Sequence, residues 1–239
     1  PTPEHDVLVV GAGVAGLTAA MFTSRAGLDT LVVDGGETIL RRNAHLENFP
    51  GFPAGINGRL FADMLHSQAT RNGVDLVDGQ ITSVEHDNAG DSFFLTADDG
   101  SHVRATRVIA ASWSNSDYLD PLAPESRVAG SKAYLEDDGH GRTSVDGLYT
   151  AGRLAERYHQ AIVAAGNGAE AGITLVHDTE IPFYHDWVAP EGYFTDRGRE
   201  VPPGCEEIDE AERAARAAES RTTMQAYFAS EHDQRQRTH

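Results

Sequence analysis

After a polar lead, Pro1–Asp6, four apolar residues follow in a row, Val7–Val10. So short an apolar run, ended by glycine, fits a parallel strand covered on both faces. Val14–Arg25 then has the length and the small, apolar character of a packed helix, with Gly27 placed to end it. Thr30–Val33 is a second apolar run and closes in Asp34, which completes a βαβ unit. Residues 35–58 lose all periodicity and are rich in Gly, Asn and Pro, too long for a plain connector. Beyond them the pattern predicts a helix over Leu60–Asn72. Short strands follow over Gln80–Glu85, Ser92–Ala97 and Val103–Ala110, with a turn at Asp98-Asp99-Gly100. Tyr134–Glu136 reads as a further short strand, Gly147–Ala151 as a buried strand, and His159–His177 as a helix.

From Asp178 the character changes. Tyr184–Gly204 is aromatic, proline-bearing and aperiodic, Glu206–Phe228 reads as a charged helix, and Glu231–His239 as a frayed end. Two domains of unequal kind are expected: a nucleotide-type α/β domain over residues 1–178 and an extension over 179–239. Phe183, Tyr184, Trp187, Tyr193 and Phe194 are too apolar for a solvated linker. They are expected to pack in order, on a second subunit in preference to their own domain.

Gly11-Ala12-Gly13-Val14-Ala15-Gly16 stands between the first strand and the first helix, where a G-x-G-x-x-G fingerprint has physical meaning. Gly11 permits the tight turn, Gly13 lets backbone approach a pyrophosphate, and Gly16 lets helix and strand pack closely. The diphosphate would sit at the helix N-terminus, where unpaired N–H groups and the helix dipole favour negative charge. Asp34 is placed to accept from a ribose hydroxyl, and Ala15 and Gly35 flank these positions. This half alone does not separate FAD from NAD, although an acid there argues against NADP. A second glycine cluster, Gly166-Asn167-Gly168, lies inside the late helix with no strand before it, and reads as helix packing.

Of the 239 residues 40% are hydrophobic and 23% charged, an ordinary globular composition. The charge is not ordinary. Nineteen basic residues against thirty-seven acidic ones give −18, and Lys132 is the single lysine. Such a surface suits a salt-rich cytoplasm and argues against nucleic acid or an anionic membrane as partner. No apolar run reaches the roughly twenty residues of a membrane span, and no export signal is read, so a cytoplasmic protein is expected. Cys205 is the one cysteine, flanked by Glu206 and Glu207, and reads as inert. The histidines show no ligand spacing; His177, His185 and Asp186 form the nearest grouping, and no metal is expected.

His45-Leu46-Glu47-Asn48-Phe49-Pro50-Gly51-Phe52-Pro53, leading to Ile56-Asn57-Gly58, resembles the E-N-[WF]-P-G loop of the thioredoxin reductase family. Thr143–Gly152 resembles that family's T-S-x-P-G-[VL]-[FY]-A-A-G-D strand, and Tyr158-His159-Gln160-Ala161 its R-Q-A helix start. The resemblance runs over residues 5–178 and implies a single Rossmann-like FAD-binding domain, a parallel sheet with a small β-meander. It implies that Gly11, Gly13 and Gly16 hold the pyrophosphate and Asp34 the adenosine ribose. Asn48 would reach the flavin side, Gly152 would approach the ribityl chain, and Gln160 and Ala161 would bind the pyrimidine end of the isoalloxazine. Arg42 and Asn43 resemble a pair lying near the cofactor in some relatives. A homodimer is also implied.

Three departures qualify this. The family inserts an NADPH domain and a redox C-x-x-C where this chain has only residues 112–133, around which the flavin domain is fused. The expected A-T-G is Ala110-Ala111-Ser112, followed by Trp113. The expected G-D is Gly152-Arg153, and arginine cannot accept a hydrogen bond; Arg153 is expected to donate to a ribityl oxygen or pair with a phosphate. The chain is therefore read as an FAD oxidoreductase with a separate electron donor or acceptor, protein or small substrate, or else as a non-catalytic FAD-binding relative. His159 is a candidate for tuning the flavin, and Trp113 for covering a flavin face.

The charge generates a first prediction. Self-repulsion falls as salt screens it, so thermal stability should rise between dilute buffer and molar salt. A melting midpoint that stays level or drops across that range contradicts the reading.

Overall fold

The computed structural model describes residues 2–36, 38–87, 92–130 and 132–235. Strands β1 (Glu4–Val10), β2 (Thr30–Asp34), β3 (Asp75–Asp78), β6 (His102–Ala110) and β9 (Leu148–Thr150) pair in parallel, β1 lying between β2 and β6. β4 (Ile81–His86) and β5 (Phe93–Ala97) run antiparallel onto β6, which makes the expected meander. This α/β architecture, one sheet with a meander, matches the sequence expectation.

Alternation along the strands divides the interior. Val7, Val9, Val32 and Ile109 face helices α1 (Val14–Arg25), α2 (Gly58–Arg71) and α3 (Ala161–His177). Leu8, Val10, Leu31, Val33 and Val108 face Val84 and Leu95 of the meander. Tyr118 and Leu119, from a 3-10 turn at Asp117–Leu122, fill the same side. Residues 112–133 are thus more than a linker: they floor the second core, then form β7 (Ser126–Ala129), which pairs antiparallel with β8 (Lys132–Leu135).

α1 and α3 touch backbone to backbone. A Cβ on Gly168 would lie 2.2 Å from the Ala15 carbonyl oxygen, and one on Gly172 2.7 Å from that of Ala19. The packing role expected of the second glycine cluster holds for Gly168, whereas a Cβ on Gly166 meets nothing within 4 Å.

Several boundaries move for local reasons. α2 starts at Gly58 because the Asn57 side chain accepts from the Arg59 and Leu60 N–H groups. α3 starts at Ala161, with His159 and Gln160 still outside it. β3 escaped the pattern because Asp75-Leu76-Val77-Asp78 is a largely exposed edge strand, weak in apolar signal.

The extension corrects one expectation. It holds a two-stranded parallel sheet, β10 (Trp187–Pro190) with β11 (Cys205–Ile208), so residues 206–208 are strand and the helix, α4, spans Glu210–Tyr227. Asp209 caps it by accepting from the Glu212 N–H at 2.7 Å. The Glu207 carboxylate accepts from the Gly192 and Thr195 N–H groups, each at 3.1 Å, and so ties the loop between the strands. Within the chain, the tail docks on the α/β domain. Phe183 packs on the helix-side core, and Asp186 accepts from Arg25 Nε and, at 2.6 Å, from Nη2. Arg71 pairs with Glu219, and Arg41 reaches both Asp63 and Gln234. His232 Nε2 lies 2.6 Å from Asp63. Arginines on α1, α2 and the turn before α2 draw in an acidic tail, a charge complement that aperiodic sequence does not reveal. No described helix is long and apolar enough to cross a membrane.

The helix contact predicts opposite signs for two neighbouring glycines. Gly168→Ala should cost upwards of ~2 kcal/mol by overpacking against backbone. Gly166→Ala, free of contacts, should be neutral or gain roughly 0.5–1 kcal/mol through helix propensity. Denaturant titrations of the two variants check the contrast; equal effects contradict it.

Candidate functional site

A cleft of about 820 Å³ crosses the carboxyl ends of the parallel strands. Read across the sheet, its wall carries Asp34 at the end of β2, Gly11 at the end of β1, Ala111 after β6 and Gly152 after β9. This is where an open parallel sheet binds ligands.

The turn at its centre is built by exclusion. Gly11 has φ +109°, and a Cβ there would stand 2.7 Å from the Ala111 carbonyl oxygen. A Cβ on Gly16 would lie 1.9 Å from the Gly11 carbonyl oxygen, so Gly16 sits behind the cleft wall as a packing residue. At Gly13 a Cβ would meet only Thr38 Oγ1, at 3.5 Å, and would otherwise enter the cleft. Gly13 is the N-cap of α1 and supplies no side-chain cap; the first turn holds no acid. Val14 and Ala15 line the cleft beside it, so the positive end of α1 is offered to a ligand. α3 repeats the arrangement: Gln160 is its N-cap without a side-chain cap bond, and Ala161 lines the cleft. Two helix N-termini therefore point at one cleft.

At one end, Asp34 Oδ1 accepts from the Gly36 N–H at 3.0 Å, and Oδ2 lies 3.8 Å from His66 Nε2. Gly35 lines this end, together with Gly79, Gln80 and Ile81, which the sequence reading missed. Recognising β3 would have found them, since they follow it directly. Arg42 and Asn43 line the cleft on the turn before α2. Buried Arg59 holds that turn by donating from Nη1 to the carbonyl oxygens of Asn43 at 3.0 Å and Arg41 at 3.3 Å.

At the other end, Asn48 Nδ2 donates to Gln160 Oε1 at 2.7 Å, which joins the Asn-Phe-Pro loop to the start of α3. Gly152 donates its N–H to Asn167 Oδ1 at 2.6 Å, and a Cβ on it would come 2.8 Å from that of Ala15. His159 lines this end, its ring centroid 4.6 Å from that of Trp113. Arg153 also lines the cleft, but its terminal nitrogens are engaged elsewhere. Nη2 donates to the Tyr134 hydroxyl at 2.7 Å and Nη1 to the Arg157 carbonyl at 3.2 Å. Tyr134 on β8 gives Arg153 both an acceptor and a ring face, 5.0 Å from guanidinium to centroid.

Cys205 lies away from this cleft. Its thiol donates to the His185 carbonyl at 3.3 Å, and partial burial, then the Asp186 charge, push it above its ordinary value. Asp186 is taken by Arg25 and the His185 ring stacks near Trp187, so the His177, His185, Asp186 grouping is occupied by packing and pairing.

The fold is that of a Rossmann-like α/β domain with a glycine-walled cleft at its strand ends. The pyridine nucleotide-disulphide oxidoreductase family model matches residues 5–112. The thioredoxin reductase of Streptomyces clavuligerus is 39% identical over 113 residues, 46% of this chain and 34% of its own length. That of Treponema pallidum is 33% identical over 112 residues, 45% of this chain and 35% of its own. The matched segment thus spans about a third of these curated relatives. Among solved structures, a thioredoxin reductase from Gloeobacter violaceus superposes with a TM-score of 0.63 at 16% identity, covering 74% of this chain and 95% of its own. An oxidoreductase from Agrobacterium tumefaciens gives 0.65 at 15%, covering 73% and 98%. Over residues 5–112 the chain is thus similar to pyridine nucleotide-disulphide oxidoreductases, and to thioredoxin reductases in particular.

Proposed function

We propose that the cleft holds FAD and that the chain is a flavoprotein oxidoreductase working with a separate electron donor or acceptor, a protein or a small substrate. The observation that carries this is the run of the cleft. It continues from Asp34 past the open side of Gly13 to the Asn48–Gln160 pair at the second helix N-terminus. A ligand with a nucleotide at one end, a diphosphate in the middle and a flat polar ring at the other fits that sequence of groups. The donor set agrees. The N-terminus of α1 faces the diphosphate position, and Asp34 can accept from a ribose hydroxyl. The Asn48–Gln160 bond leaves Asn48 Oδ1 as an acceptor and Gln160 Nε2 as a donor for a ring edge. Bound there, FAD supplies the redox chemistry, and the protein supplies position, electrostatics and shelter from water.

Electron entry is the second part of the reading. Among the described residues between Ala111 and Tyr134 stand a 3-10 turn, β7 and the start of β8. No nucleotide-binding unit fits within that span. One observation favours a second reading, a binding role without turnover: Arg153 stands where the resemblance expects an acceptor, and it is turned to Tyr134. Turnover with artificial acceptors such as ferricyanide separates the two, since a purely structural flavin passes on no electrons.

Two outcomes are expected. The protein should take up FAD at high salt, and Gly13→Val should lower FAD affinity at least ~100-fold while circular dichroism stays native, because the added side chain occupies the diphosphate position. A wild-type chain that binds no FAD overturns the proposal. NADPH alone should reduce the bound flavin slowly or not at all under anaerobic stopped-flow mixing; fast bleaching would place a pyridine nucleotide site on this chain.

A further inference from the structure

We propose that Trp113 is a ring-covering residue, its indole presented by a locked turn over the flat ring of the ligand at the α3 end of the cleft. The inference rests on the FAD reading above and adds a residue to it.

The argument starts from backbone. Trp113 has φ +65°, in the left-handed region that bulky side chains avoid. Such a conformation persists only where its surroundings over-determine it, and it clusters at ligand sites. Here the surroundings are visible. Ser112 Oγ donates to the Asn115 carbonyl oxygen at 2.6 Å. Having given its single proton, it accepts from the Tyr118 hydroxyl at 2.8 Å. Tyr118 is 3% exposed and belongs to the meander-side core, where burial pushes its phenol above the ordinary range despite the Ser112 bond. The turn after β6 is therefore pinned from the core, and the strained residue is held in one orientation.

That orientation faces the cleft. The indole lines it and belongs to neither core cluster. Its ring partner among the described residues is His159, met edge-on at 68°. His159 directly precedes Gln160, the N-cap of α3. Position along the ligand follows from strand order: Asp34 ends β2 on one side of β1, whereas Trp113 follows β6 on the other. The indole accordingly stands at the end away from the adenosine. Tyr158, 84% exposed, stands on the same rim. An indole beside a conjugated ring gains from stacking, excludes water, and quenches the ring's fluorescence by electron transfer from the indole.

The test uses the FAD-loaded full chain, with the fluorescence of bound flavin and the FAD dissociation rate as readouts. Wild type should be nearly dark. Trp113→Ala should be several-fold brighter and release FAD about tenfold faster, a loss of the size expected for one stacking contact. Trp113→Phe should retain most of the slow release but not the full quenching. Tyr118→Phe, which removes the hydroxyl that pins the turn, should move both readouts in the Trp113→Ala direction by a smaller factor. Should Trp113→Ala not fold, the Phe variants decide: wild-type brightness in both overturns the proposal. A Trp113→Ala protein that binds FAD with wild-type brightness and release rate overturns this inference alone. A wild-type chain that binds no FAD overturns the FAD reading, and this inference with it.

Discussion

The turn from Gly11 to Gly16 is the constraint on which the rest of the structure depends, because other backbone presses on it from several directions. Gly16 leaves no room for a Cβ against the Gly11 carbonyl, Gly11 none against Ala111, and Gly168 none against Ala15. Gly152 approaches Ala15 from the β9 side. Three segments distant in sequence are thus fixed relative to one six-residue turn, and each brings a cleft-lining group with it. A dry, rigid wall of backbone is what an anionic ligand needs at a helix N-terminus, where donors that are already oriented require no rearrangement on binding.

Around that centre the molecule divides its labour by sheet face. The helix side supplies rigidity through α1 and α3, packed close enough that only glycine fits between them. The meander side supplies Tyr118, whose buried hydroxyl governs a turn at the cleft mouth. The stretch after β6 thereby has two duties: Tyr118 and Leu119 help close the second core, and Trp113 stands at the cleft.

Charge works on a different scale. A chain of net charge −18 must place its few cations with care. Arg25, Arg41 and Arg71 stand on the domain where Asp186, Gln234 and Glu219 of the extension meet them. The same arginines bring the extension over the turn that carries Arg42 and Asn43, so tail and cleft share a structural element. α4, by contrast, buries no residue and is held by ion pairs such as Arg216 with Glu206 and Glu212. Exposed pairs of this kind contribute little each and weaken with salt; apolar contacts such as Phe183 on the core carry the docking where salt is high.

Much of this was legible in one dimension. Val7–Val10, Val14–Arg25 and Thr30–Asp34 announced the βαβ unit through unbroken apolar runs and glycine spacing, because a buried parallel strand and a tight turn each demand particular residues locally. Fourteen of the fifteen candidate positions line the cleft, Gly16 alone standing behind it. Other features have no local signature. β3 is a strand only because β2 offers it an edge, and β10 and β11 are strands only because a loop brings them together. Arg153 bonds to Tyr134 because the fold brings β8 within reach, and the tail settled on its own domain because arginines from three separate segments face it. The sequence by itself determined the chemistry of the turn, through constraints that act within a few residues. Partners, edges and the directions of long charged side chains were decided by the tertiary structure, because each depends on groups brought close only when the chain has folded.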